Sequence, residues 1–187
     1  MSPQLLNSAQ WKPIRFRFAP GKARAAILWM LEQIPQLDLQ TVLKTCYFAD
    51  KDHLNMHRRP IFGATYRAMR LGPVPLEIYE MTKGDPIWLS ELDVDSYPWR
   101  LDGHHLQRVS NTAGDLSELS RSDVVALETA FARCSSMSFN ERTAATHGRD
   151  WQAANMGIMH YEDMINESDT KDETVEYLRE AGRFIRL

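Results

Sequence analysis

Apolar residues recur along this chain at spacings that mark out its elements. From Lys22 to Ile34, the residues Ala23, Ala26, Ile27, Met30, Leu31 and Ile34 form one stripe of helical period, and Pro35 stops it. From Asp38 to His57 a second stripe holds Leu39, Val42, Leu43, Cys46, Tyr47, Leu54 and His57. Asp50 and His53 fall in the same inward register. A buried carboxylate without a partner is costly, so the pattern predicts that Asp50 accepts hydrogen bonds from a backbone corner or from Tyr66. Arg58-Arg59-Pro60 breaks this helix, and Pro60 holds Arg59 extended. Gly63 opens a short strand over Ala64–Arg70. Gly72-Pro73-Val74-Pro75 reads as a stiff turn, with Gly72 in a conformation other residues avoid. Pro75 then starts a helix that runs to Lys83 and ends at Gly84.

The next stretch changes character. Pro86–Asp93 and Tyr97–Ser110 are rich in strand formers, and Asp102-Gly103 between two extended runs predicts a hairpin of Pro98–Leu101 with His104–Val109. Asn111–Glu118 reads as loop. Ser120 then caps a helix to Arg133 with Val124, Val125, Leu127, Ala130 and Phe131 inward, and Ser138–Glu141 is a capping box for a helix to Thr146. Short turns follow around Trp151 and at Glu162–Asn166. Thr170–Glu173 reads as a second capping box, opening a last helix to Ile185. The expected fold class is α+β and predominantly helical: one compact domain of about six to seven helices, with a small antiparallel sheet that includes the hairpin near 98–109. The 187 residues suffice for one sizeable core. They divide into an arm, 1–19, a body, 20–166, and a C-terminal acidic-to-basic helix, 167–187, packed on the body.

Charge narrows the function classes. The net charge is −3, no helix has a basic face, and no helix-turn-helix is evident, so nucleic acid is not an expected partner. The charge is uneven: Lys12, Arg15, Arg17, Lys22 and Arg24 lie near the start, and Glu162, Asp163, Glu167, Asp169, Asp172, Glu173 and Glu176 near the end. These read as two solvated ends, or as ends that attract each other or meet a partner of mixed sign. WKPIRFRF alternates apolar and basic residues, as a short strand or an arm laid on the domain would. Cys46 and Cys134 form no CxxC, and with no signal peptide the expectation is a reducing cytoplasm. The longest apolar run, AAILWML, is too short to span a membrane.

Reaction chemistry is not legible. His53 and His57 are spaced i, i+4 with Asp50 one turn earlier, so one helical face offers three possible metal ligands and a small metal-dependent hydrolase is one alternative. No HExxH and no obvious fourth ligand accompany them, which favours a bracing role, no cofactor and no catalytic residue. Cys46 lies mid-stripe as a small core residue, and Cys134 with Ser135-Ser136 follows a helix end without a catalytic motif. His104-His105 flank the hairpin turn as exposed residues, and His147 with Asp150 or Trp151 reads as a packing unit at a helix end.

TVLKTCYFADKDHL, followed by RRPIFGATYRAMRLGPVPLEIYE, resembles the signature of the Panacea domain, the SocA-like antitoxin family. The positions that carry the resemblance are Tyr47, Phe48, Ala49, Asp50, His53, Leu54, Pro60, Ile61, Gly63, Tyr66, Met69, Gly72, Pro73, Val74, Pro75 and Tyr79. A looser likeness continues through Asp123–Phe131, Ser138–Thr146, His147 and Trp151. Arg58 stands where the family corner has glycine, so the corner is expected to be tighter or shaped by another residue.

The resemblance implies a non-enzymatic antitoxin that binds a cognate protein toxin encoded nearby. It also implies a possible adaptor role, delivering that toxin to a cytoplasmic AAA+ protease. A phage or mobile-element accessory protein that binds a host factor is the alternative of another class. Interfaces favour aromatic, Met and Arg anchors, so Trp11, Phe16, Met81, Trp88, Trp99 and Met159 are candidate toxin contacts.

Overall fold

A computed structural model describes residues 12–112 and 114–187, so Trp11 lies outside the described residues. Helix α1 (Pro20–Gln33) starts on Pro20, whose missing N–H costs nothing in a first turn. A three-residue strand, β1 (Gln36–Asp38), follows and leads directly into α2 (Leu39–His57). Asp38 ends the strand and caps the helix, accepting the Thr41 N–H at 2.9 Å. Every residue from Thr41 to Asp50 is buried, so α2 is the central helix and has no solvent face along that stretch.

Strands β2 (Tyr66–Met69) and β3 (Gly72–Pro75) pair antiparallel around an Arg70-Leu71 turn. Gly72–Pro75 is thus a strand and not the stiff turn its composition predicts. Its two prolines fall at alternate positions, so Gly72 and Val74 keep their N–H groups for the ladder. Helix α3 (Leu76–Thr82) continues from it. Pro86–Trp88 is a 3-10 turn and α4 (Leu89–Leu92) a single helical turn, where the composition suggested strand. Asp85 explains the difference: its side chain accepts the Ile87 N–H at 3.1 Å, and Pro86 occupies the first helical position.

The hairpin is β4 (Trp99–Asp102) with β5 (His105–Arg108). Its register pairs Asp102 with His105, so the loop is Gly103-His104, one residue later than expected, with Gly103 at φ +59°. Strand β1 pairs with β5 and completes a three-stranded antiparallel sheet in the order β1-β5-β4. Helix α5 (Arg121–Ser135) packs along α2 and begins with a capping box of Ser120 and Asp123. Helices α6 (Phe139–Thr146), α7 (Arg149–Ala154), α8 (Tyr161–Met164) and α9 (Lys171–Ala181) close the chain. The fold is α+β and predominantly helical, with nine helices among the described residues; the excess over six to seven comes from the short α4, α7 and α8. The Ser138 box is present, whereas Thr170 makes no side-chain cap, because its φ −105°, ψ 9° is not the extended geometry a cap needs.

One core cluster joins Ile27 and Leu31 of α1, Val42 and Cys46 of α2, Leu106 of β5, Leu127 of α5 and Leu178 of α9. Residues 12–19 form no strand, but they are held: the buried Ile14 donates its N–H to Glu162 Oε1 at 2.9 Å, and Phe16 meets Tyr161 edge-on. A basic-end backbone and an acidic-end side chain therefore meet at this hydrogen bond. No helix among the described residues is long and apolar enough to cross a membrane.

Candidate functional site

The site is built outward from α2. Asp50 is fully buried. Its Oδ1 accepts the N–H groups of Ile61 at 2.7 Å and Phe62 at 2.8 Å, and its Oδ2 accepts the Tyr66 hydroxyl at 3.0 Å. The helix thereby ties down the chain that has just left it, and both expected partners, the backbone corner and Tyr66, are present. Burial pushes the Asp50 carboxyl up to about 7, opposed by the Phe62 N–H, the Tyr66 hydroxyl and the Ile61 N–H.

His53 makes the second tie. Its Nδ1 donates to the Arg59 carbonyl at 2.7 Å, and its Nε2 lies 3.0 Å from Ser122 Oγ. Burial lowers its pKa. Behind it lies Asp123, also fully buried, a hub that the sequence pattern did not disclose. Its carboxylate accepts Lys22 Nζ at 2.5 Å, the Arg59 guanidinium at 2.9 Å and the Ser120 N–H at 2.9 Å, and lies 3.1 Å from His53 Nε2. Burial alone would raise its pKa; Lys22, the Ser120 N–H and Arg59 outweigh that and hold it low. In sequence Ser120 reads as an ordinary helix cap, and nothing there marks Asp123, because Lys22 and Arg59 come from distant parts of the chain.

The other end of α2 holds β3. Lys44 is buried and donates to the Pro73 carbonyl at 2.8 Å. Burial lowers its pKa to about 7. Gly72 has φ +99°, and a Cβ there would run into Thr146 Oγ1 and Lys44 Nζ. Gly63, at φ +66°, passes equally close to the Arg17 carbonyl. On the α7 side, Tyr47 donates its hydroxyl to Asp150 at 2.5 Å, and Lys51 reaches the same oxygen at 3.0 Å. Trp151 donates to the Met69 carbonyl at 2.9 Å and stacks on His147 with ring centroids 3.8 Å apart.

These positions answer the expectations residue by residue. Tyr47, Asp50, His53, Gly63, Tyr66, Gly72 and Pro73 line one continuous bracing system, with the buried Pro60 and Pro75 at its bends. Tyr79 is half-buried, with Lys83 Nζ 4.4 Å from its ring centroid. Asp50, His53 and His57 do not assemble as metal ligands: Asp50 is committed to three donors, both His53 nitrogens are engaged, and the His57 ring lies tilted against that of His53, with centroids 4.4 Å apart. No group of three or more such side chains converges among the described residues. Of the candidate contacts, Met81, Trp99 and Met159 are core residues, and Trp99 donates to the Met81 carbonyl at 3.0 Å. They are large apolar side chains, and the core claims such residues first. Phe16 and Trp88 are half-buried, Trp88 against Phe18.

Residues 42–152, more than half of the chain, match the family model described as antitoxin SocA-like, Panacea domain. The match begins in α2 and ends at Trp151 and its neighbour, so it spans the whole bracing system. No curated protein and no solved structure matches the chain.

Proposed function

Because the chain belongs to the SocA-like Panacea antitoxin family, we propose that it neutralises a cognate protein toxin by binding it directly. The observation that carries this reading is the family match over residues 42–152, together with what its polar residues do. Asp50, His53 and Asp123 hold backbone and side chains in place, and none of them is left poised over a cleft as a base or nucleophile would be. Such a frame fixes the surfaces around it, which is what a rigid binding protein needs.

The test is growth of cells that express the small open reading frame beside this gene, with and without this protein, followed by co-purification. Relief of toxicity with a stable complex supports neutralisation by binding. Relief with no complex and a falling toxin level points to delivery to a AAA+ protease. A harmless neighbour that does not co-purify overturns the antitoxin reading in both forms and favours an accessory protein that binds a host factor.

A further inference from the structure

The first turn of α2 is only half-buried, at Leu39 and Gln40. Between it, the β2–β3 turn, the tip of the β4–β5 hairpin and the start of α6 lies a groove of about 670 Å³. Its inner wall is apolar, with Leu39, Leu43 and Val74. Leu71 and Phe139 form its lips and are 43% and 46% exposed. Neither lip residue is asked for by local structure. A tight turn such as Arg70-Leu71 favours Gly, Asn or Asp, and the first position of α6 needs no aromatic ring once Ser138 caps it.

The charge on the rim is that of Arg70. Arg70, His104 and His105 are exposed on it, and Arg70 makes no ion pair among the described residues. Lys83 covers Tyr79, which lines the same groove. Asp38 is the one acid in the lining among the described residues, and it is already held by Arg142 at 3.2 Å and by Thr41.

We propose that this groove is the toxin-binding surface and that it takes an apolar segment of the toxin flanked by acidic side chains. The inference rests on the antitoxin reading and names the surface that reading would use. Exposed apolar lips gain from being covered, and the unpaired Arg70 on the rim selects a partner with a carboxylate beside its apolar residues. An amphipathic helix with acidic flanks meets both demands. A basic segment would set like charges against Arg70 and bring no compensation.

The test is a calorimetric titration of the full chain with the purified product of the neighbouring open reading frame. Leu71→Asp and Phe139→Asp are the disruptive variants, Leu71→Ala and Phe139→Ala the mild ones, and Arg70→Glu the charge probe. Met56→Asp and Val125→Asp, exposed on the far side where α2 meets α5, are the controls. The disruptive variants are expected to weaken binding about tenfold or more, as truncated interface anchors do, with melting unchanged. Arg70→Glu is expected to weaken binding and to flatten its salt dependence. Binding by the parent chain that survives both disruptive variants overturns the groove and leaves the antitoxin reading standing. Equal losses in the controls overturn it likewise. Binding that strengthens with salt overturns the acidic occupant, and a parent chain that does not bind overturns the antitoxin reading and this inference together.

Discussion

The two ends of α2 bury polar side chains in opposite ways. At the C-terminal end, Asp50 accepts three hydrogen bonds and His53 engages both ring nitrogens, and α5 closes over them with Asp123. At the N-terminal end, Lys44 makes one hydrogen bond, to Pro73, and its surroundings open into the groove. The first end is closed over by α5, and the second, where Gln40, Lys44 and the capping Asp38 are tied to α6 and β3, borders the groove. A closed face and an open groove are thus separated along one helix. That separation is strongest where the charges are densest. Asp123→Ala strands Lys22 and Arg59 without their carboxylate and is expected to cost about 3–5 kcal/mol, the range for removing one partner of a buried ion pair. Chemical denaturation measures it. A loss below about 0.5 kcal/mol, typical of surface changes, would erase the contrast between the two ends.

Asp50→Ala comes next. It leaves two backbone N–H groups and the Tyr66 hydroxyl without an acceptor, with an expected cost of about 2–3 kcal/mol. Leu71→Ala at the open end is expected to stay within about 0.5 kcal/mol. Unchanged melting of Asp50→Ala with lost toxin binding would instead move Asp50 from the frame to the interface.

How far the sequence discloses this contrast depends on which physical cue each residue leaves. Asp50 was legible because an acid on an apolar stripe needs partners, and Tyr66 lay within reach of it. Lys44 was not. The periodic reading gave α2 one inward side, but a helix buried on every side from Thr41 to Asp50 has no period to read there. Asp123 was hidden by its own cap, since Ser-x-x-Asp accounts for the residue locally and says nothing of Lys22, 101 positions earlier. β1 is three residues long, and its pairing with β5 is a long-range fact that no local window holds. Pro73 and Pro75 suggested a turn because prolines usually end strands; here they occupy the alternate positions that a two-stranded ladder can spare.

The two ends also differ in the sign of their pH response. Asp50 titrates near 7 in the folded chain against 3.8 as a model group, so its contribution is complete below about 3.8 and is lost as pH rises through about 7. Lys44 is lowered from 10.5 to about 7, so its contribution is complete above 10.5 and is lost as pH falls through about 7. Between pH 7 and 10.5 the parent chain is expected to gain stability relative to Lys44→Met, with a slope of up to about 1.4 kcal/mol per pH unit. Parallel denaturation series on the two proteins read the difference. A difference that does not change with pH would mean that Lys44 stays charged in the fold, held by the Pro73 carbonyl alone.

A gain in stability, smaller than the losses at Asp123 and Asp50, belongs to the joint that follows the closed end. Arg58 ends α2 at φ +55°, ψ 27°, a left-handed conformation that a side chain makes costly and that glycine adopts freely. The motif that this stretch resembles implies glycine there, and the positive φ fits that implication. The corner keeps the glycine conformation with an arginine in it, held from outside by the Arg58 N–H to the Leu54 carbonyl at 2.9 Å and by the Asp50 bonds three residues on. Arg58→Gly is therefore expected to raise stability by about 0.5–1 kcal/mol, the relief of the side-chain clash less the added freedom of the unfolded chain. A rise in melting temperature with unchanged toxin binding would place the strain in the frame alone. A loss of binding would give the Arg58 side chain a task in recognition and extend the partner's footprint from the open end of α2 to the closed one.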